Sequence, residues 1–288
     1  MIRLSYWWHS IRPKTLFVTL SPICMANAQV YRHRPSQWSV RVFLLTWILA
    51  TCIQIGTNWA NDLYDAQRGI DTERRKGPER MVATGKISSQ SMFQAMWYIF
   101  SLAFLLSLSL IPRGGFTIVL VTLLAILTGL LYSAGPRPIS HTRYGELFAF
   151  FFFGPFTTGI STFLQQESFS ISSILLGTIP GCFAAALLLL NNIRDRQEDH
   201  RAGKYTSMTY CTEERGKQIF CLLVSLPFFL SFLLLPRLFW IPLLFIPLMF
   251  PLVRFLLCKQ LPQAYNRMMG QLGKINLLYV LLLCFGLI

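Results

Sequence analysis

The sequence predicts an all-α membrane protein, a multi-pass helical bundle of about nine transmembrane helices. Three observations carry this. Hydrophobic residues fill 53% of the 288 positions and charged residues only 13%, against about 25% charged in a water-soluble domain. The mean hydropathy is +0.49. The apolar residues gather in runs close to the ~20 residues that a helix needs to cross a bilayer. With 24 Phe, the chain is also too aromatic for a disordered one. The net charge of +14 could suggest nucleic acid. A chain this apolar is not a nucleic-acid binder, so the charge reads as one-sided loop charge on a membrane protein.

Nine runs qualify, at 15–31, 40–60, 92–111, 116–135, 146–164, 172–192, 218–236, 238–257 and 273–288. The first holds Pro22 and Asn27 and follows Arg3, Arg12 and Lys14, so it imitates a signal peptide ending at Ala26-Asn27-Ala28. Pro13 interrupts its basic region and more spans follow, so it reads as an anchor. The second, third and fourth are continuous apolar runs. The fifth opens on the aromatic run Phe148 to Phe153, read as lipid-facing or packing surface. The sixth ends in Asn191 and Asn192. The eighth is interrupted by Pro242, Pro247 and Pro251. Such prolines are tolerated where neighbouring helices satisfy the freed backbone. The ninth runs to the terminus. The whole reads as one domain, 1–288, with polar loops at 58–91 and 191–217.

Nine spans put 21 of the 26 Lys and Arg on the side of the N-terminus. That side is then cytoplasmic, and the C-terminus lies outside. The five exceptions are Arg32, Arg34, Arg41, Arg113 and Arg237. The seven cysteines are odd in number and irregularly spaced, with no C-x-x-C. They read as buried free thiols, neither a disulfide framework nor a zinc site. The four scattered histidines, His9, His33, His141 and His200, read as non-catalytic.

Ten of the twelve acids lie in the loops after spans 2 and 6. The first cluster holds Asn58, Asn61, Asp62, Asp65 and, beyond Gly69, Asp71. On a helix Asn58, Asp62 and Asp65 share a face, and Gly69 would end that helix and let Asp71 fold back. The second holds Asn191, Asn192, Arg194, Asp195 and Asp199, with Asn192, Asp195 and Asp199 on one face. Both spans are even-numbered and run the same way, so the two stripes can face each other at one mouth of the bundle. Their separation of roughly 130 residues hints at an internal duplication.

Carboxylates near membrane depth mark function by default. Oxygen ligands without His or Cys suit Mg²⁺, which keeps waters and takes phosphate oxygens as further ligands. Arg68, Arg74, Arg75, Lys76, Arg80, Arg194 and Lys204 lie beside the acids. Carboxylate, Mg²⁺ and phosphate flanked by cations is how a diphosphate is held. An apolar, aromatic bundle behind such a head site suits a lipid diphosphate.

At these residues the chain resembles the UbiA superfamily of intramembrane prenyltransferases. The matching segments are Arg12-Pro13-Lys14-Thr15-Leu16, Asn61-Asp62 with Asp65, Gly69 with Asp71, and Gly77-Pro78 with Arg80. Further on are Tyr132-Ser133 with Gly135 and Arg137-Pro138, then Asn191-Asn192 with Arg194-Asp195, Asp199 and Gly203-Lys204. The spacing of Asp71 and the Asn-Asn-x-Arg-Asp form resemble the MenA-type branch, which prenylates 1,4-dihydroxy-2-naphthoate. The resemblance implies nine helices and a cavity open sideways to lipid. It implies that Asp62, Asp65, Asp195 and Asp199, with Asp71, hold Mg²⁺ on a polyprenyl diphosphate. It implies contact between the diphosphate and Asn58, Asn61, Arg68, Lys76, Arg80, Arg137, Asn192, Arg194 and Lys204. An aromatic acid would accept the prenyl group and lose its carboxylate, giving demethylmenaquinone. Gly145-Glu146 departs from the Gly-Asp frequent in relatives, and the segment from Thr206 to Thr212 also departs from their pattern. The alternatives are another aromatic acceptor (4-hydroxybenzoate or 1,4-dihydroxy-6-naphthoate), an ion-coupled transporter, or a CDP-alcohol phosphotransferase. Transporters place such acids near the midplane, and the phosphotransferase motif is missing.

Overall fold

The computed structural model describes residues 4–70, 77–257 and 262–288, and within these it is helical apart from loops and turns. A short α1 (Leu4–Ile11) precedes α2 (Pro13–His33), α3 (Val40–Gln67), α4 (Ser89–Leu108) and α5 (Ile111–Ser133). The second half begins with α6 (Gly145–Phe151) and α7 (Thr157–Gln166), joined through a π-helical turn at Phe152–Phe156. Next come α8 (Ile171–Leu176), α9 (Thr178–Arg201), α10 (Glu213–Leu234), α11 (Trp240–Leu257) and α12 (Pro262–Leu287). The nine expected spans all coincide with helical stretches, α6–α7 and α8–α9 each making one. Among the described residues, seven of these stretches are long and apolar enough to cross a membrane, and the apolar part of α11 is shorter. The exception is α2, as its Pro22 and Asn27 foretold. It packs against α3, α7 and α12.

In the first half α3, α4 and α5 pack against one another around Met92, Met96 and Phe100. In the second half α9 packs on α6, α10 and α12 around Phe183, Phe220, Phe245 and Tyr279. Leu120, Phe229, Leu233 and Phe285 point outward, as helices in a lipid solvent require. The aromatic run is packing surface in part: Phe148 stacks on Phe152 at 4.4 Å, while Phe151 is half exposed.

The acid-bearing helices end alike. At the end of α3, Gly69 takes φ 68° and the Ile70 N–H donates to the Asp65 carbonyl at 3.1 Å. At the end of α9, Gly203 takes φ 72° and the Lys204 N–H donates to the Asp199 carbonyl at 2.8 Å. Each is a six-to-one helix-terminating bond, with a glycine in the left-handed conformation that a side chain would strain. The chain therefore turns away directly beyond each acid stripe.

The opposite end is closed by amides. The buried Gln165 Nε2 donates to Asn27 Oδ1 (2.7 Å) and to the Ser39 carbonyl (2.9 Å), and its Oε1 accepts from the Ser39 N–H (2.8 Å). Trp38 Nε1 donates to the same Asn27 oxygen at 3.0 Å. Asn27 is thus a cross-helix bond inside the first span, which explains a polar residue there.

The π-helical turn brings backbones together. A Cβ at Gly181 would lie 2.6 Å from the Phe150 carbonyl oxygen, and one at Gly154 would lie 2.7 Å from the Gly181 Cα. Only glycines allow α9 to approach that closely. Gly181→Ala is expected to destabilise the protein by about 1–3 kcal/mol through overpacking. Thermal unfolding in detergent reads this as a lowered midpoint, and an unchanged midpoint would refute the close contact.

Candidate functional site

The first stripe lies on the last two turns of α3. Asn61, Asp62 and Asp65 are all buried there, Asp62 at 2% and Asp65 at 1% exposed. Ionised groups so nearly dry must be paired. Asp65 Oδ2 lies 3.7 Å from Arg80 Nη2, and Oδ1 lies 3.4 Å from His141 Nε2. Arg80 Nη2 also donates to Asn61 Oδ1 at 2.6 Å, and Arg12 Nη2 donates to the same oxygen at 3.2 Å. Asn61 Nδ2 in turn donates to Ser133 Oγ at 3.1 Å. Asn61 and Asp65, one turn apart, therefore share Arg80.

Asp62 turns elsewhere. Its carboxylate accepts from the backbone N–H groups of Met81 (3.1 Å) and Val82 (3.3 Å). Asn58 also turns away, donating to the Ile11 carbonyl at 3.0 Å. On the expected common face Asn58 ties down α1, Asp62 accepts from the 80–82 loop, and Asp65 meets Arg80 and His141. Arg68 donates to the carbonyls of Ser133 (2.5 Å) and Gly135 (2.7 Å), fastening α3 to the turn after α5. Arg137, on that turn, is exposed. Asp71 and Lys76, with Arg74 and Arg75, lie outside the described residues.

The second stripe lies on the last turns of α9. Arg194 clasps Asp195 through Nε and Nη2, each at 2.6 Å, and Nη1 reaches Asn266 on α12. Buried Asp199 lies 3.5 Å from Lys204 Nζ. Asn192 Nδ2 donates to Glu146 Oε1 at 2.8 Å, and the Ser207 hydroxyl donates to the same oxygen. Glu146 Oε2 is buried without a hydrogen-bond partner among the described residues. Glu146 and the Thr206–Thr212 segment, the two departures from the family pattern, are thus in contact.

Three participants escaped the sequence reading. Arg12 stands between α1 and α2 with φ 57°, a conformation rare outside glycine that clusters at functional positions. Its signal was the Arg12-Pro13 pair before span 1. His141 belongs to the loop after span 4, and no Cys or second His accompanied it to flag it. Ser133 was visible only as part of the Tyr132-Ser133 match.

The donor chemistry fits a hard divalent cation. Asn61, Asp65, Asp195 and Asp199 offer oxygen, as Mg²⁺ prefers, and it completes its shell with water and phosphate oxygens. Among the described residues no three of His, Cys, Asp and Glu gather as a metal cage.

The UbiA prenyltransferase family matches residues 19–278. The chain is similar to 1,4-dihydroxy-2-naphthoate octaprenyltransferase of Haemophilus influenzae, 30% identical over 99% of this chain and 96% of that one. It is similar to the protein of the same name from Escherichia coli, 31% identical over 99% and 96%. In fold it is similar to a solved UbiA homolog from Archaeoglobus fulgidus bound to DMAPP and Mg²⁺, with a TM-score of 0.65. That likeness covers 97% of this chain and 99% of the other, at 15% identity.

The Asp62 geometry is directly testable. Asp62→Ala strands the buried Met81 N–H, a loss of about 1–3 kcal/mol, and the half-buried Val82 N–H, a smaller one. Hydrogen exchange at Met81 and Val82 is expected to speed up in Asp62→Ala and to change far less in Asp65→Ala. Equal protection in the wild type and Asp62→Ala would disprove the clamp.

Proposed function

Since the chain belongs to the UbiA prenyltransferase family, we propose that it transfers a polyprenyl group from polyprenyl diphosphate to 1,4-dihydroxy-2-naphthoate. The carboxylate is lost and demethylmenaquinone is formed, a step of menaquinone biosynthesis. The observation that carries this reading is the pair of buried, cation-lined acid stripes on α3 and α9, in a chain similar nearly end to end to two naphthoate octaprenyltransferases. The motif end faces the cytoplasm and the C-terminus the other side, because 21 of 26 basic residues then lie inside.

In this reading Asp65, Asp195 and Asp199, with Asn61, hold Mg²⁺ against the diphosphate, and Asp71 joins them. Bound Mg²⁺ supplies charge that stabilises the leaving diphosphate as the allylic C–O bond breaks. Arg80, Arg137, Arg194, Lys204 and Lys76 offset the remaining negative charge. Arg194 and Lys204 already rest on Asp195 and Asp199, so each can pivot from carboxylate to phosphate without long travel. The apolar bundle excludes water from the prenyl carbon, which protects an electron-poor centre from hydrolysis. Asp62 acts one step back, fixing the loop that presents Arg80. The unshared oxygen of Glu146 takes a hydrogen bond from a ring hydroxyl of the acceptor. Polar groups left unpaired without the right partner are what let a site choose between related rings.

The test is purified protein with a polyprenyl diphosphate, Mg²⁺ and a panel of aromatic acids, with products read by mass spectrometry. Prenylated, decarboxylated naphthoate is expected, and EDTA abolishes it. Asp195→Ala and Asp199→Ala are expected to lower the rate by at least about 100-fold. Glu146→Gln is expected to raise the KM for the acceptor more than that for the donor. No product from any acid, or full activity in EDTA, would overturn the reading.

A further inference from the structure

The end of the bundle away from the acid stripes carries charge that prenyl transfer does not use. It holds Arg32, Arg34, Arg41, Arg113 and Arg237 against the single acid Glu167. Some of this is structural. Arg32 Nη1 donates to the Leu287 carbonyl at 2.5 Å. Arg113 pairs with Glu167 at 3.0 Å and donates to the carbonyls of Gln37 (2.5 Å) and Gln165 (2.7 Å). Arg41 is different. It is exposed and has neither an ion pair nor a side-chain hydrogen bond among the described residues.

Arg41 lines a groove of about 380 Å³ between the turn from α2 to α3 and the turn from α4 to α5. Ser36, Trp38 and Arg113 line it as well, and Val42, Leu45 and Leu110 give it an apolar wall. One long helix, α3, starts at this groove at Val40 and has no acid in its first turn, while the turn Ile111–Gly114 beside it is broken from the rest of α5 at Gly115, φ 58°. A helix start carries about half a positive charge. Arg41, in the first turn of α3, therefore sits where a cation is least favoured unless an anion shares the site. Buried beside it, Arg113 Nε and Gln37 Oε1 have no hydrogen-bond partner among the described residues.

Depth narrows the choice of anion. The 28 residues of α3 span about 42 Å at 1.5 Å per residue. That equals the full thickness of a bilayer with its headgroups, ~40–45 Å. With the acid stripe in one headgroup layer, the groove lies in the other, where lipid phosphates are. Its composition is graded the same way, cations and hydroxyls at the rim and aliphatic side chains below.

We propose that this groove binds the phosphate of an anionic phospholipid from the leaflet opposite the acid stripes, held by Arg41 and the start of α3. Val42, Leu45 and Leu110 carry the upper part of an acyl chain. The site also accounts for basic residues on the side that the positive-inside bias depletes.

Native mass spectrometry of the full-length protein in detergent tests this, using phosphatidylglycerol, phosphatidylcholine and inorganic phosphate as probes. Wild type is expected to retain phosphatidylglycerol in preference to phosphatidylcholine. Arg41→Gln is expected to lower that retention about five-fold, the factor of one cation beside an anionic headgroup. Arg34→Gln removes equal charge from the same end outside the groove and is expected to leave retention unchanged. Thermal midpoints of both variants should match the wild type, since neither side chain is bonded among the described residues. Equal retention by wild type and Arg41→Gln would overturn the proposal, as would an equal loss in Arg34→Gln. Displacement of the lipid by millimolar inorganic phosphate would overturn it too, by showing a site for free phosphate.

Discussion

Burying carboxylates at the end of a membrane bundle is the constraint from which the rest of this structure follows. Asp62, Asp65 and Asp199 are 2%, 1% and 5% exposed, and an ionised carboxylate that dry is stable only with partners. The partners come from distant parts of the chain. Arg80 arrives on the loop after α3, and His141 on the turn after α5. The N–H groups of Met81 and Val82 meet Asp62, and Lys204 meets Asp199 from just beyond α9. Arg12, in its left-handed conformation, completes the set through Asn61. Each partner is itself a reason for a loop to take its course, so loop structure at this end is largely charge compensation.

The two halves meet that constraint with the same device. In each, an aspartate four residues before a left-handed glycine receives the terminating backbone bond. Asn61 and Asp65 in the first half correspond in this geometry to Asp195 and Asp199 in the second. In this geometry Asn61, one position before Asp62, stands where Asp195 stands, and Asp62 accepts from the loop N–H groups of Met81 and Val82.

That shift shows what was legible in the sequence. Helix positions were, because runs of ~20 apolar residues leave little choice of conformation in lipid. The end of the first acid-bearing helix was, because Gly69 marks it. The task of each acid was not. Positions i, i+3, i+4 and i+7 fall on a broad face, and which side chain meets the cations depends on residues far along the chain. Asp62 is claimed by Met81 and Val82, and helical spacing says nothing of that. His141 was unreadable for the same reason, since its partner Asp65 lies 76 residues away.

The central claim is that the acids of α3 and α9 act together on one metal–diphosphate group. A double-mutant cycle measures this most directly. Calorimetry would follow binding of a non-reactive prenyl diphosphate analogue in Mg²⁺ to the wild type, Asp65→Asn, Asp199→Asn and the double variant. Acids that share one ligand give non-additive losses, and a coupling of at least about 1 kcal/mol is expected. Losses that add to within ~0.3 kcal/mol would mean that the two stripes bind independently, and would contradict the shared site.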